Sequence, residues 1–249
     1  MDDLQNWQYI VAALIFVWTG FVRSGLGFGG AALGLPLLLL VVDDALVWLP
    51  LIGIHLLFFS SITVSSRMQH IDWAYLKKAL AIMIIPMLVG VFGLLTLPSE
   101  WVVVFVYLTT LFYACCYLFK FQIRSNNRWA DHVLLMSGAY AAGVSLIGAP
   151  LIVAVFTHHV VKEMLRNTLF VLWFILVVIK LSVLWSVDVN FWWWHHLWLL
   201  PCAAIGHVVG LKLHDHLMTG EATRFKQVIG AVLVLICMVG LSVQFENVF

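Results

Sequence analysis

Eight long apolar segments make up most of this chain, and they restrict it to a narrow set of folds. The sequence is 63% hydrophobic and only 10% charged, whereas charged residues make up about 25% of an ordinary soluble domain. Most segments approach the roughly 20 residues that a helix needs to cross a bilayer, which favours helices over barrel strands. We predict an all-α polytopic membrane protein with eight apolar helical segments, at residues 9–42, 45–66, 78–97, 101–119, 132–157, 165–187, 191–213 and 225–245.

Two segments, the first and the fifth, carry glycine-rich stretches that a continuous helix would not have. The first contains GFVRSGLGFGGAALGLP at Gly20 to Pro36, and the fifth contains GVSLIGAP at Gly143 to Pro150. Broken helices leave backbone groups that protein, water or ligand must satisfy. We predict that both segments are broken or re-entrant. Their recurrence divides one transmembrane domain, residues 1–249, into two four-segment repeats at about 9–120 and 131–245.

The loop charges distinguish two topologies, because short cytoplasmic loops hold the Lys and Arg residues. If all eight segments cross, these residues divide six against five and give no orientation. If the first and fifth segments return to the side they entered, all eleven fall on one face, and the two halves become inverted repeats. The alternative is that both segments are kinked crossing helices. The eleven residues are Arg67, Lys77, Lys78, Lys120, Arg124, Arg128, Lys162, Arg166, Lys212, Arg224 and Lys226.

The first glycine-rich stretch has the composition of an anion site. A guanidinium beside backbone N–H groups suits an oxyanion, and Arg23 lies too deep in its segment to be an obvious interface residue. The alternative is that the glycines only allow close helix packing. The predicted substrate-binding residues are Arg23, Ser24, Gly25, Gly27, Gly29 and Gly30 in the first stretch, with Ser145, Gly148 and Pro150 in the second.

Other polar residues inside the segments are candidates for coupling. His55 and His207 lie within apolar runs and could relay protons, although a lone helical histidine is more often structural. Arg166 follows the second stretch, and the charge pattern alone accounts for it. Lys180 precedes Trp185 by five residues, so we expect its side chain to reach the interface; a place on the permeation path is the alternative. Because the second tip has no basic residue of its own, we expect the first to hold an anion more strongly.

Composition and motifs exclude several functions. The net charge of +1 and the lack of a basic tail give no reason to expect a nucleic-acid partner. The four cysteines form no CxxC pair, neighbouring histidines diverge on a helix, and neither HExxH nor GxSxG is present. We therefore expect no metal site, no cofactor and no enzyme activity. Trp7, Trp48, Trp101 and Trp185 fall near segment ends, where they are expected to anchor at the membrane interface.

The two stretches resemble those of a known family. FVRSGLGFGGAALGLPLLL and GVSLIGAPLIV, in a chain of this length with eight apolar segments, are similar to the sulfite exporter TauE/SafE family of membrane permeases. Arg166 is similar to an arginine often found after the second motif there, whereas Ala149 replaces a usual glycine. The resemblance implies a substrate among sulfite, sulfoacetate and other organosulfur anions, which composition alone does not indicate.

From these observations we predict a multi-pass transporter of a bacterial inner membrane. It would export sulfite or a small organosulfonate held between the two glycine-rich broken helices, with proton coupling through His55 or His207. The alternatives are a permease or channel for another small inorganic ion, a non-transporting membrane subunit, or a membrane enzyme. The partners are the small sulfur-containing anion and the lipid bilayer, and a homodimer is left open.

Overall fold

The structure is a computed structural model that describes residues 1, 4–26, 30–65, 70–121, 123–125, 127–218 and 222–248. Over these residues the chain is α-helical and forms no strand. The helices are α1 (Asn6–Leu26), α2 (Gly30–Leu39), α3 (Ala45–Ser65), α4 (Trp73–Thr96), α5 (Ser99–Leu118), α6 (Arg128–Ser145), α7 (Ala149–His159), α8 (Lys162–Ser186), α9 (Trp193–Met218) and α10 (Ala222–Val248). The predicted all-α membrane fold is confirmed.

Helices α1 and α2 form a hairpin. Near its tip, Gly30 of α2 packs against the side chain of Arg23 in α1. Further along, the indole N–H of Trp18 donates to the carbonyl of Leu33. At the open end, the Gln8 amide donates to the carbonyl oxygen of Val41 at 2.8 Å. The beginning and the end of the first apolar segment therefore meet on the same side.

Helices α6 and α7 form a second hairpin, and here the break itself is described. Leu146 follows the last residue of α6 with φ of 61°, a left-handed cap whose N–H bonds to the carbonyl of Ala142. After Gly148, α7 returns along α6. At the open end, His159 Nε2 donates to Asp131 Oδ2 at 2.8 Å. The fifth segment also ends where it began.

The chain divides into two compact units, which we describe separately. Unit 1 comprises residues 1–51, 98–122 and 191–249, and contains the first hairpin with α5, α9 and α10. Unit 2 comprises residues 52–97 and 123–190, and contains most of α3 with α4, the second hairpin and α8. Each unit thus contains one glycine-rich stretch, and each takes helices from both predicted repeats.

Unit 1 is built on a close pairing of α1 with α9. A Cβ at Gly20 would overlap the carbonyl oxygen of Ala203, and one at Gly206 would overlap that of Val17. The next glycine of α9, Gly210, lies further along α1, so the two helices run in the same direction. By the same reasoning α5 and α10 run in opposite directions, because Gly230 contacts Ala114 and Gly240 contacts Tyr107.

Unit 2 repeats this packing between α6 and α4. A Cβ at Gly143 would overlap the carbonyl oxygen of Met87, and one at Gly90 would overlap that of Tyr140. The register is the same in both units. Each glycine lies against the carbonyl group of the residue three positions before the glycine of the partner helix. A buried core that includes Met83, Met87, Phe156 and Leu172 surrounds the α4–α6 pair.

Seven helices of the described chain are long and apolar enough to cross a membrane, namely α1, α3, α4, α5, α8, α9 and α10. Several of them present large apolar side chains outward, for example Ile85 and Phe92 on α4, as lipid-facing helices do. Trp7, Trp101 and Trp185 are exposed near helix ends, as predicted. The prediction for Trp48 is wrong: its side chain is fully buried in unit 1, where its indole N–H donates to the carbonyl of Val42.

Candidate functional site

Two predicted binding residues at the end of α1, Arg23 and Ser24, contact one predicted coupling residue, His207. Nη2 of Arg23 lies 3.2 Å from Nδ1 of His207 in α9, and the hydroxyl of Ser24 contacts the same nitrogen. Ser24 is buried and Arg23 half-buried. The contact follows from the close α1–α9 pairing, since Gly210, one turn beyond His207, lies against the Ser24 side chain.

The geometry fixes the protonation of His207 in this state. A guanidinium can only donate hydrogen bonds, so Nδ1 must accept from Arg23 and therefore carries no proton. The Ser24 hydroxyl contacts the same nitrogen. A proton arriving at Nδ1 would remove the acceptor used by Arg23 and place a second positive charge beside the guanidinium.

The glycines of the first stretch divide between described and undescribed positions. Gly25 is buried in the last turn of α1, and its N–H lies close to Gly210. Gly30 begins α2, where a Cβ would lie 3.0 Å from that of Arg23. Gly27 and Gly29 lie outside the described residues. Gly30 therefore allows α2 to pass beside Arg23, as the packing interpretation predicts.

The second stretch contains a helix break with its own predicted residues. Ser145 is fully buried, and its hydroxyl donates to the carbonyl of Ala141 at 2.9 Å. Gly148 is the N-cap of α7, and a Cβ there would overlap the carbonyl oxygen of Gly138. Pro150 occupies the first turn of α7, where a missing N–H costs nothing. The close approach of α7 to α6 thus requires glycine at position 148.

Lys180 was not predicted as a site residue, and the expectation that it reaches the interface is wrong. Its side chain is fully buried, and its Nζ atom donates to the carbonyl oxygen of Gly143 at 2.7 Å. Because α6 ends at Ser145, no N–H of a following helical turn is available to the carbonyl of Gly143, and Lys180 donates to this carbonyl instead. A buried cation therefore also lies at the second stretch, contributed by α8 and not by the stretch itself.

The remaining predicted coupling residues lie elsewhere in unit 2. His55 is buried on α3. Arg166 lies near the start of α8 with its guanidinium carbon 5.5 Å from the centroid of the Phe170 ring, a cation–π contact.

The cluster of unit 1 can bind an anion and exchange a proton. Across the described residues, no three side chains of His, Cys, Asp or Glu lie together as metal ligands would. Arg23 and Ser24 are hydrogen-bond donors, and His207 is a titratable group within reach of both. The chemistry available is therefore reversible anion recognition linked to one proton.

Comparison with known proteins identifies the family of the chain. No curated protein and no solved structure matches the chain. One protein-family model, described as the sulfite exporter TauE/SafE, matches residues 12–239 and so includes Arg23, Lys180 and His207. With nearly the whole chain matched, the protein belongs to the sulfite exporter TauE/SafE family of membrane transporters.

Proposed function

We propose that this protein exports sulfite or a small organosulfonate across a bacterial inner membrane as a secondary transporter. The observation that carries the proposal is the contact of Arg23 and Ser24 with the unprotonated Nδ1 of His207. Sulfite and sulfonates present several oxygens around one sulfur, and a guanidinium binds two such oxygens at once. Arg23 supplies the charge, and Ser24 with the backbone around Gly25 supplies further donors.

Anion binding at this cluster is linked to a proton. Arg23 and a proton compete for the same nitrogen of His207, so protonation frees a guanidinium N–H and adds positive charge nearby. Both changes favour an anion, and by reciprocity a bound anion favours the proton. The cluster therefore binds one anion and one proton cooperatively, which makes His207 the coupling residue in preference to His55.

The hairpins support a topology in which six helices cross. A segment whose two ends meet, as Gln8 and Val41 do, returns to the face it entered. With α8 and α9 crossing, the antiparallel α5 and α10 also support a fifth segment that returns, since a third crossing would make them parallel. The parallel α1 and α9 support the same for the first segment. All eleven loop Lys and Arg residues then face the cytoplasm.

The glycine contacts support two related halves. Helix α1 of the first half pairs with α9 of the second, and α6 of the second pairs with α4 of the first, in the same register. Both hairpins are thus held by a partner helix from the opposite half. This exchange agrees with inverted repeats at about 9–120 and 131–245.

A substrate panel tests the function. Purified protein is reconstituted into proteoliposomes, and uptake and thermal stabilisation are measured for sulfite, sulfoacetate, taurine, thiosulfate, sulfate and phosphate. A bound anion raises stability by an amount that grows with occupancy. We expect transport and stabilisation by sulfite or a sulfonate. Transport of phosphate or a metal ion alone, or no transport with an enzymatic turnover, would contradict the proposal.

A further inference from the structure

Lys180 is a basic residue of α8 whose side chain is fully buried, and its burial needs a physical explanation. A buried charge is costly unless it is paired and hydrogen-bonded, and in membrane proteins such residues mark functional paths. The groups that contact Lys180 therefore decide what it does.

The contacts of Lys180 offset only part of its charge. Its Nζ atom donates to Gly143 at 2.7 Å and lies 3.5 Å from the carbonyl oxygen of Ala142. These carbonyls belong to the C-terminal end of α6, where a helix carries roughly half a negative charge. In the part of the chain that the structure describes, no carboxylate forms an ion pair with Lys180. The two carbonyls that contact Lys180 thus bear partial charges only, and neither has a formal negative charge.

The break beside Lys180 adds donors of its own. Helix α7 begins at Ala149, and its N-cap, Gly148, provides no side-chain cap. The first N–H groups of a helix have no partner within it, and together they attract anions. Only Leu146, Ile147 and Gly148 separate the end of α6 from this helix start. One short break therefore combines the buried amino group of Lys180 with a helix N-terminus that has no side-chain cap.

We propose that Lys180 binds the transported sulfur oxyanion at the second glycine-rich stretch. The inference rests on the proposed function, since it concerns the same cargo. Arg23 lies in the last turns of α1, and Lys180 reaches the corresponding turns of α6, so each hairpin has one cation at the end of its first limb. The sequence of the second stretch has no basic residue and indicates weaker anion binding there. With Lys180 beside it, the second stretch is no longer expected to bind the anion more weakly than the first.

The test compares three variants for anion affinity and transport. Lys180→Gln removes the charge and keeps an N–H donor for Gly143, whereas Lys180→Arg keeps the charge. Thr168→Val is the matched control: it removes an equally buried polar group of α8, which donates to Met164. We expect Lys180→Gln to lower sulfite affinity at least about tenfold with a melting temperature near wild type. Lys180→Arg is expected to retain most of the affinity, and Thr168→Val to leave it unchanged.

Each other outcome is also decisive. Sulfite binding by Lys180→Gln at wild-type affinity would overturn the role of Lys180 and leave the proposed function standing. If Lys180→Gln does not fold, Lys180→Arg decides: an altered preference between sulfite and sulfate supports contact, and an unchanged preference excludes it. If the wild type binds only a different anion and Lys180→Gln abolishes that binding, Lys180 keeps its role and the sulfur substrate is wrong. A wild type that binds no anion overturns both.

Discussion

At the scale of single residues, the chemistry depends on Nδ1 of His207, which both Arg23 and Ser24 contact. Nδ1 of His207 accepts from Arg23 and contacts Ser24, so the state of the imidazole controls how many donors face an anion. A contact between residues 184 positions apart cannot be read from the sequence. The sequence identified all three residues as candidates by their unusual polarity, but their meeting depends on the glycine-mediated approach of α1 to α9.

The coupling role of His207 predicts a pH dependence that one substitution should remove. In His207→Asn, the amide oxygen takes a place close to that of Nδ1 and accepts the same bonds but does not bind a proton. We expect anion affinity of the wild type to increase as pH falls and that of the variant to be nearly constant. Affinity is measured by calorimetry with a sulfonate that does not buffer near neutral pH. Parallel pH profiles for the two proteins would contradict the coupling role.

The ion pair at the open end of the second hairpin predicts an acid-sensitive contribution to stability. Burial opposes ionisation of Asp131, but hydrogen bonds from Ser125 and His159 and the nearby histidine charges outweigh it and lower its pKa. A lowered pKa stabilises the folded state above the pKa of the unfolded carboxyl, about 3.9, and this contribution is lost as pH falls through the lowered value.

We therefore expect Asp131→Asn to destabilise the protein by roughly 1 kcal/mol near neutral pH and by much less in strong acid. Thermal unfolding in detergent across this pH range measures the difference. Asp188→Asn is the control, because Asp188 is an exposed carboxylate in a left-handed conformation that asparagine also adopts. An equal destabilisation by Asp131→Asn at all pH values would exclude the carboxylate as its cause.

At the scale of helices, small residues determine which pairs form. Hydropathy predicted the apolar segments well, because the need for about 20 apolar residues is a property of each segment by itself. It did not predict that Lys180 points inward or that Trp48 is buried, because both depend on the rotation of a helix against its neighbours. Trp185, five residues away, indicated that the Lys180 side chain would reach the membrane interface. It donates instead to the carbonyl of Gly143, and the sequence does not show that this carbonyl lies within its reach.

The packing of α4 on α6 predicts opposite results for two glycines three residues apart. Gly90→Ala would force its methyl group into the carbonyl of Tyr140, and we expect a loss of about 1–3 kcal/mol or failure to fold. At Gly93 the nearest atom to an added Cβ is 3.7 Å away, so Gly93→Ala should be neutral or stabilise the helix by up to about 1 kcal/mol. Expression level and thermal unfolding measure both, and similar behaviour of the two variants would contradict this packing.

At the scale of the whole molecule, the proposed orientation has two returning segments and six crossings. The ends of each hairpin meet through Gln8 with Val41 and through Asp131 with His159. The loop charges indicate the returning topology, because they are additive and need no knowledge of packing; this topology stays a prediction. The composition of the two compact units was not predicted, because the exchange of partner helices between halves is a tertiary property.

The orientation predicts that both termini lie outside the cytoplasm. Reporters that are active only in the cytoplasm or only outside it, fused in turn to each end and to the loop near Arg128, measure this directly. We expect external activity at both termini and cytoplasmic activity at the loop. A cytoplasmic N-terminus would show that the first segment crosses.

Arg23 tests the central claim, that the cluster at the end of α1 recognises the transported anion, most directly. The measurement is sulfite and sulfonate transport by Arg23→Ala in proteoliposomes, with Arg128→Ala as a control that removes an exposed arginine at the start of α6. Loss of a charge-assisted bond to the anion predicts a roughly 10- to 100-fold fall in affinity for Arg23→Ala and none for the control. Wild-type transport by Arg23→Ala at normal protein levels would contradict the claim.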